Sequence, residues 1–210
     1  MSGRIVSALA LAVAALTAAA TLAGVTLAAA QPAPGGRISG SVESFDGRAL
    51  TIASDKFGAV TVNLTGDATV FAVSKGALAD LKPGAFIGVG ALPQADGSQR
   101  AVQVTVFAEV QRGVGEGHRP WEARPNSTMT NGAVAETVAG VEGEVLIVKY
   151  MGGEQKIVVP PDATILAYAV GDKSELKPGA KVAILRAMKT PDGSLETNRV
   201  NVGRGAVAPQ

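Results

Sequence analysis

Residues Asp67 to Ala85 read DATVFAVSKGALADLKPGA, and residues Asp162 to Ala180, 95 positions later, read DATILAYAVGDKSELKPGA. Both stretches open on Asp-Ala-Thr and run through an apolar segment. They close on Leu-Lys-Pro-Gly, at Leu81–Gly84 and Leu176–Gly179. The similarity extends outward. ISGSVESFDGRALTI (Ile38–Ile52) aligns with VAETVAGVEGEVLIV (Val134–Val148) at an offset of 96, placing Val42 on Val138, Gly47 on Gly143 and Leu50 on Leu146. Asp96-Gly97-Ser98 returns as Asp192-Gly193-Ser194, again at 96. This is a tandem duplication of a unit of about seventy residues. The two single-residue changes of offset are expected in surface turns, which tolerate them.

Each unit reads as short strands separated by turns. Asp46-Gly47 and Glu142-Gly143 give the tight-hairpin signal. Val60, Val62 and Leu64 alternate with polar residues, while Leu-Lys-Pro-Gly cannot lie inside a strand because proline lacks the ladder donor. It reads as a short helical turn and a corner leading into Ile87–Val89 or Val182–Ile184. Final strands pass through Val102, Val104 and Val106, or through Val200 and Val202. The shared apolar positions Val42, Leu50, Ile52, Val62, Val70, Leu81, Ile87, Val89 and Val104, with their counterparts, form the expected core. A unit this small must close its sheet to hide the strand edges.

The pattern G-x-V-x-x-x-D-G-x-x-L-T-I, then D-A-T, L-K-P-G-x-x-I-x-V and D-G-S, resembles a family of uncharacterised exported bacterial OB-like β-barrel domains. In the second unit Glu136 stands at Gly40's place and Glu142 at Asp46's. The resemblance implies an all-β protein of two tandem small OB-like antiparallel barrels, at 37–110 and 132–205. Residues 31–36 form a tether, 111–131 an ordered Gly/Pro-rich connector between the barrels, and 206–210 a tail. The resemblance rests on turn and core positions and brings no catalytic or binding residues.

Residues 1–30 carry Arg4, a long Ala/Leu/Val/Ile run and Ala28-Ala29-Ala30, the features of a secretory signal peptide. Export to the periplasm or beyond is expected, or retention as an N-terminal inner-membrane anchor, since the run is long enough to span a bilayer. A single such segment excludes a permease. Cysteine is absent, which removes disulfides, thiolate nucleophiles and Cys-based zinc sites. Beyond residue 30, Lys+Arg and Asp+Glu balance, and aromatics make up 4% of the chain. That composition argues against nucleic acid as a partner.

Residues common to both units are those the fold needs twice, so functional residues are sought in what is not shared. The connector holds the only histidine, His118, and the only tryptophan, Trp121. Around them stand Glu116, Arg119, Glu122 and Arg124. Asn126-Ser127-Thr128 reads as a turn or cap. His118 lacks the second and third ligands of a zinc site and the ordered nucleophile of a hydrolase. No catalytic residue, metal or cofactor is assigned. Trp121 between two arginines suits either a plug between the barrels or a recognition surface, the arginines forking a carboxylate or phosphate. The expected function is a non-enzymatic binding or interaction module of the cell envelope, for an envelope protein or small ligand. The alternatives are a metal-handling accessory or a hydrolase built on His118.

Overall fold

The computed structural model describes residues 36–141 and 143–209. The expected signal peptide, most of the tether and Glu142 of the second hairpin lie outside the described residues. The chain is all-β, with twelve strands and three single 3₁₀ turns among the described residues. The strands are β1 (Gly36–Phe45), β2 (Ala49–Ser54), β3 (Gly58–Lys75), β4 (Phe86–Pro93), β5 (Gln99–Val106), β6 (Gly117–Pro120), β7 (Thr128–Gly140), β8 (Gly143–Tyr150), β9 (Gly153–Val159), β10 (Thr164–Val170), β11 (Lys181–Lys189) and β12 (Leu195–Gly203). The Leu-Lys-Pro-Gly corners do follow 3₁₀ turns, at Leu78–Asp80 and Lys173–Glu175.

Strand pairing closes two rings. β1 pairs with β2 and β11, β2 with β3, β3 in parallel with β12, and β12 with β11. These five strands form the first barrel. β7 pairs with β8 and β4, β8 with β9, β4 with β5, and β5 closes in parallel on β9 through Gln99↔Ile157 and Arg100↔Val158. These form the second barrel. The cores follow the same division. Ile38, Leu50, Ile52 and Val62 pack with Leu176, Val182, Ile184 and Val200. Leu81, Ile87, Val89 and Val104 pack with Val134, Leu146, Val148 and Ile157.

The expectation of one barrel in 37–110 and another in 132–205 is thereby corrected. Each barrel takes three strand segments from one half and a two-strand ladder from the other. The chain leaves the first barrel at the end of β3, builds the second, and returns through β10 to finish the first with β11 and β12. The two crossings pair antiparallel, Phe71↔Val170, Val73↔Tyr168 and Lys75↔Leu166. Val73 and Tyr168 are equivalents at the 95-residue offset, so this ladder has a local two-fold axis. The exchange of ladders between the halves has the form of a domain swap within one chain. β3 stays strand to Lys75 but slips register against β12 between Leu64 and Thr69. The β9–β10 path is interrupted at the equivalent place by Pro160-Pro161, where the ladder donors are missing.

Pairing also corrects the alignment of the first strands. Val42 pairs with Ile52, and Val134 with Val148. The Val42 N–H donates to the Ala180 carbonyl and the Val134 N–H to the Ala85 carbonyl, both at 2.9 Å. Val134 therefore holds Val42's place. Val138 is 57% exposed, on a hairpin with eight residues between Thr137 and Leu146 where four separate Phe45 from Leu50. Gly132, not Glu136, stands where Gly40 does. A Cβ at Gly40 would lie 2.1 Å from the Ala53 carbonyl oxygen and one at Gly132 2.3 Å from that of Lys149, so neither site accepts a side chain. Of the two offset changes, one falls in the β2–β3 turn against the shorter β8–β9 turn. The other is not in a turn: it is a bulge in β11, where Gly36↔Ala187 and Ile38↔Ile184 leave one extra residue. The remaining expected core residues are buried in both units, Leu50, Ile52, Leu146 and Val148 fully.

Candidate functional site

The connector between β5 and β7 begins and ends in the second barrel, so it does not join the barrels. It folds back along that barrel's outer face and is fastened at several points. Gln111 is buried, and its Oε1 accepts the Ala108 N–H at 3.1 Å. Arg112 donates to the Gly84 carbonyl at 2.9 Å and forms an ion pair with Glu109. Glu116 Oε1 accepts the Met151 N–H at 2.9 Å, tying the connector to the β8–β9 turn. Asn131 Nδ2 donates to the Val114 carbonyl at 3.0 Å. β6 then pairs antiparallel with β7, from Gly117↔Asn131 to Pro120↔Thr128.

This strand sets the geometry of the candidate residues. Trp121 follows β6 directly, and its N–H donates to the Ser127 carbonyl at 2.9 Å. Its ring is partly buried over Gly90 of β4, where a Cβ would come within 2.5 Å of the indole. Trp121 is thus seated on one barrel's face and does not plug the space between barrels. The space between barrels is spanned by the β3–β10 ladder, with Phe107 packed between Phe86 and Tyr168 at 5.8 and 6.1 Å and Arg199 over Phe71 at 4.6 Å. The turn from Trp121 to Ser127 includes Asn126 at φ 55°, the left-handed conformation that asparagine tolerates.

His118 Nδ1 lies 2.8 Å from Thr130 Oγ1, and its ring stacks on Tyr150 at 6.3 Å. Thr130 is fully buried, so its hydroxyl is not presented as a nucleophile. Glu116 is occupied by Met151 N–H, and Glu122 stands exposed beyond Trp121. Among the described residues no group of three or more His, Asp or Glu side chains is placed to hold a metal ion. Arg119 donates to the Gly115 carbonyl at 2.8 Å, and no ion pair among the described residues engages Arg119 or Arg124.

His118, Arg119, Trp121, Glu122 and Arg124 meet around an open groove of about 740 Å³, together with Pro93 and the Trp121–Thr128 turn. Glu116 is not among its lining residues. The sequence did not point to Thr130, Tyr150 or Gly90, which reach the site from β7, β8 and β4. Each sits within a strand pattern that reads as structural. A second cleft of about 680 Å³ lies at one end of the strand crossing, between Lys75–Leu78 and Pro161–Leu166. Compared with protein-family models, curated proteins and solved structures, the chain matches none.

Proposed function

We propose that this chain is an exported, non-enzymatic binding module of the cell envelope, made of two duplicated OB-like units whose barrels are interlocked. The strand order in each barrel, three antiparallel strands closed by a two-strand ladder with one parallel contact, supports the OB-like description. The groove beside Trp121 is its binding site. The observation that carries this reading is the groove's make-up: Trp121 beside Pro93, Pro120 and Pro125, with Arg119 and Arg124 exposed, in no ion pair among the described residues, and outnumbering the one lining carboxylate, Glu122. Arginine forks favour carboxylate or phosphate groups, and the indole supplies apolar contact without ordering cost. The chemical class of ligand is therefore a small anion or an acidic peptide with an apolar part.

The test uses Trp121, the chain's only tryptophan, as reporter. The full chain is titrated with citrate, succinate and inorganic phosphate while indole emission is followed. A saturable change that disappears in Arg119→Ala/Arg124→Ala supports the site. Emission that is unaffected by all three anions, or equally affected in the double variant, argues against it.

A further inference from the structure

The equivalence of the barrels shows a position that no described strand fills. In the second barrel, Thr128–Asn131 of β7 is paired on one side by β4 and on the other by β6. The equivalent stretch of the first barrel, Gly36–Ser39 of β1, is paired by β11. No described strand lies on its other side, because β2 joins β1 only from Ser41 onward. Val42 bonds toward the β11 side, and donors alternate along a strand. The N–H and C=O of Arg37 and Ser39 therefore point to the open edge. Both residues are exposed.

The adjoining face differs in the same sense. Where Gly90 lies under Trp121, β11 presents Leu185 at 42% exposure, then Arg186 and, past Ala187, Met188 at 53%. Exposed apolar side chains one strand in from this edge, with Arg37 and Arg186 outnumbering Glu196, the cross-strand neighbour of Met188, make a surface that a free strand can complete. The second barrel shows the form such a strand takes: a short extended segment antiparallel to the edge, followed by an apolar side chain laid over the neighbouring strand.

We infer that the Arg37–Ser39 edge of the first barrel, with Leu185, Arg186 and Met188, is a docking site for an extended acidic peptide segment of a partner protein. The peptide adds a strand beside β1 as β6 does beside β7. Its carboxylates face Arg37 and Arg186, and its apolar side chains cover Leu185 and Met188. Antiparallel self-association centred on residue 37 or 38 would set the Arg37 side chains of two copies opposite or diagonal to each other, which like charge disfavours. This site is separate from the Trp121 groove, and either can fail without the other.

The test is amide hydrogen exchange on the full chain. The probe is a short synthetic peptide in which threonine alternates first with glutamate and then with valine, so that carboxylates and apolar side chains share one face. The control is the same peptide with lysine for glutamate. Arg37 and Ser39 amides should exchange freely in the unliganded chain, while Met129 and Asn131 are protected. The acidic peptide should slow Arg37 and Ser39 by at least about tenfold and leave the β7 amides unchanged. Ser39→Pro, which removes an edge donor, should abolish that protection. Arg37→Glu/Arg186→Glu, which keeps the backbone intact, should weaken peptide binding by at least about tenfold. Three results overturn the inference. Protection of Arg37 and Ser39 in the free chain at every concentration means the chain's own residues cover the edge. Protection that grows with protein concentration, with a dimer in the mass, means the occupant is a second copy. No protection by the acidic peptide, or equal protection by the lysine peptide, removes the acidic partner.

Discussion

The two barrels have the same strand order and equally buried cores, yet differ on the outer face of one strand. On β4 of the second barrel, Phe86 to Ala91 is buried throughout, Gly90 lies under Trp121, and β6 pairs the adjoining edge. On β11 of the first, Leu185 and Met188 are exposed beside a bulge, and no described strand pairs the Gly36–Ser39 edge of β1. The difference shows that notch and filler come as a set. A side chain at Gly90 would exclude the indole, and without the connector a glycine there would leave the strand without a packing side chain. The connector is an elaboration of one barrel, while the link between barrels is the pair of crossing strands.

The largest effect should come from the interlocked cores. Leu176 lies in the second half of the chain but packs with β1–β3 of the first barrel. Leu176→Ala should cost on the order of 2–5 kcal/mol. Native-state hydrogen exchange should place the loss in β1 and β2, not in β8. Weakening of β8 instead would assign Leu176 to the wrong barrel. Next, Gly40→Ala and Gly132→Ala should destabilise by similar amounts, about 1–3 kcal/mol each, because each Cβ meets a carbonyl oxygen. Urea titration checks this. A neutral Gly132→Ala would break the equivalence of β1 and β7.

Smaller effects sharpen the contrast between the outer faces. Trp121→Ala should cost on the order of 1 kcal/mol, leave the first barrel's exchange pattern intact, and free the β6 amides. Leu185→Ala at the equivalent exposed position should stay within about 0.5 kcal/mol. The smallest effect concerns the β11–β12 turn. The Thr190 hydroxyl, with the Ser194 N–H and hydroxyl, holds the Asp192 carboxyl at about 2, below its ordinary 3.8. A lowered folded-state value gives stability that is present above 3.8 and lost as pH falls through about 2. Asp192→Asn should therefore flatten the fall of Tm over that interval and change little at neutral pH. The β4–β5 turn has the matching Asp96, lowered by the Ser98 hydroxyl and N–H.

Much of this architecture was legible from residue pattern. Alternation and turn residues give the strands, and repetition marks Leu50, Ile52, Leu146 and Val148 as core. The exchange of ladders was not legible, because β4 and β11 offer β1 chemically similar edges, and the pattern is the same whichever half supplies the partner. The Val42–Val138 alignment failed for a related reason. Period-two alternation is preserved by a four-residue shift, and the register shows only in the pairing of Val134 with Val148, its bond to Ala85 and the close approach at Gly132. At the candidate site, rarity drew attention to His118 and Trp121. Their settings depend on Thr130, Tyr150 and Gly90, which chain proximity does not reveal.

The central claim, that each barrel is completed by the other half of the chain, is tested most directly by cysteine cross-linking, since the chain has no cysteine of its own. Ser41 pairs with Lys181, and Lys181 Nζ donates to Ser41 Oγ at 2.8 Å. Phe86, at the equivalent position of the first half, pairs with Ala133 instead. Ser41→Cys/Lys181→Cys and Ser41→Cys/Phe86→Cys are oxidised, their remaining free thiols are counted, and each is cleaved within the connector and run without reductant. Interlocked barrels predict that the Ser41→Cys/Lys181→Cys variant forms a disulfide that holds its two fragments together, while the Ser41→Cys/Phe86→Cys variant keeps both thiols free. A disulfide in the second variant and none in the first would contradict the account.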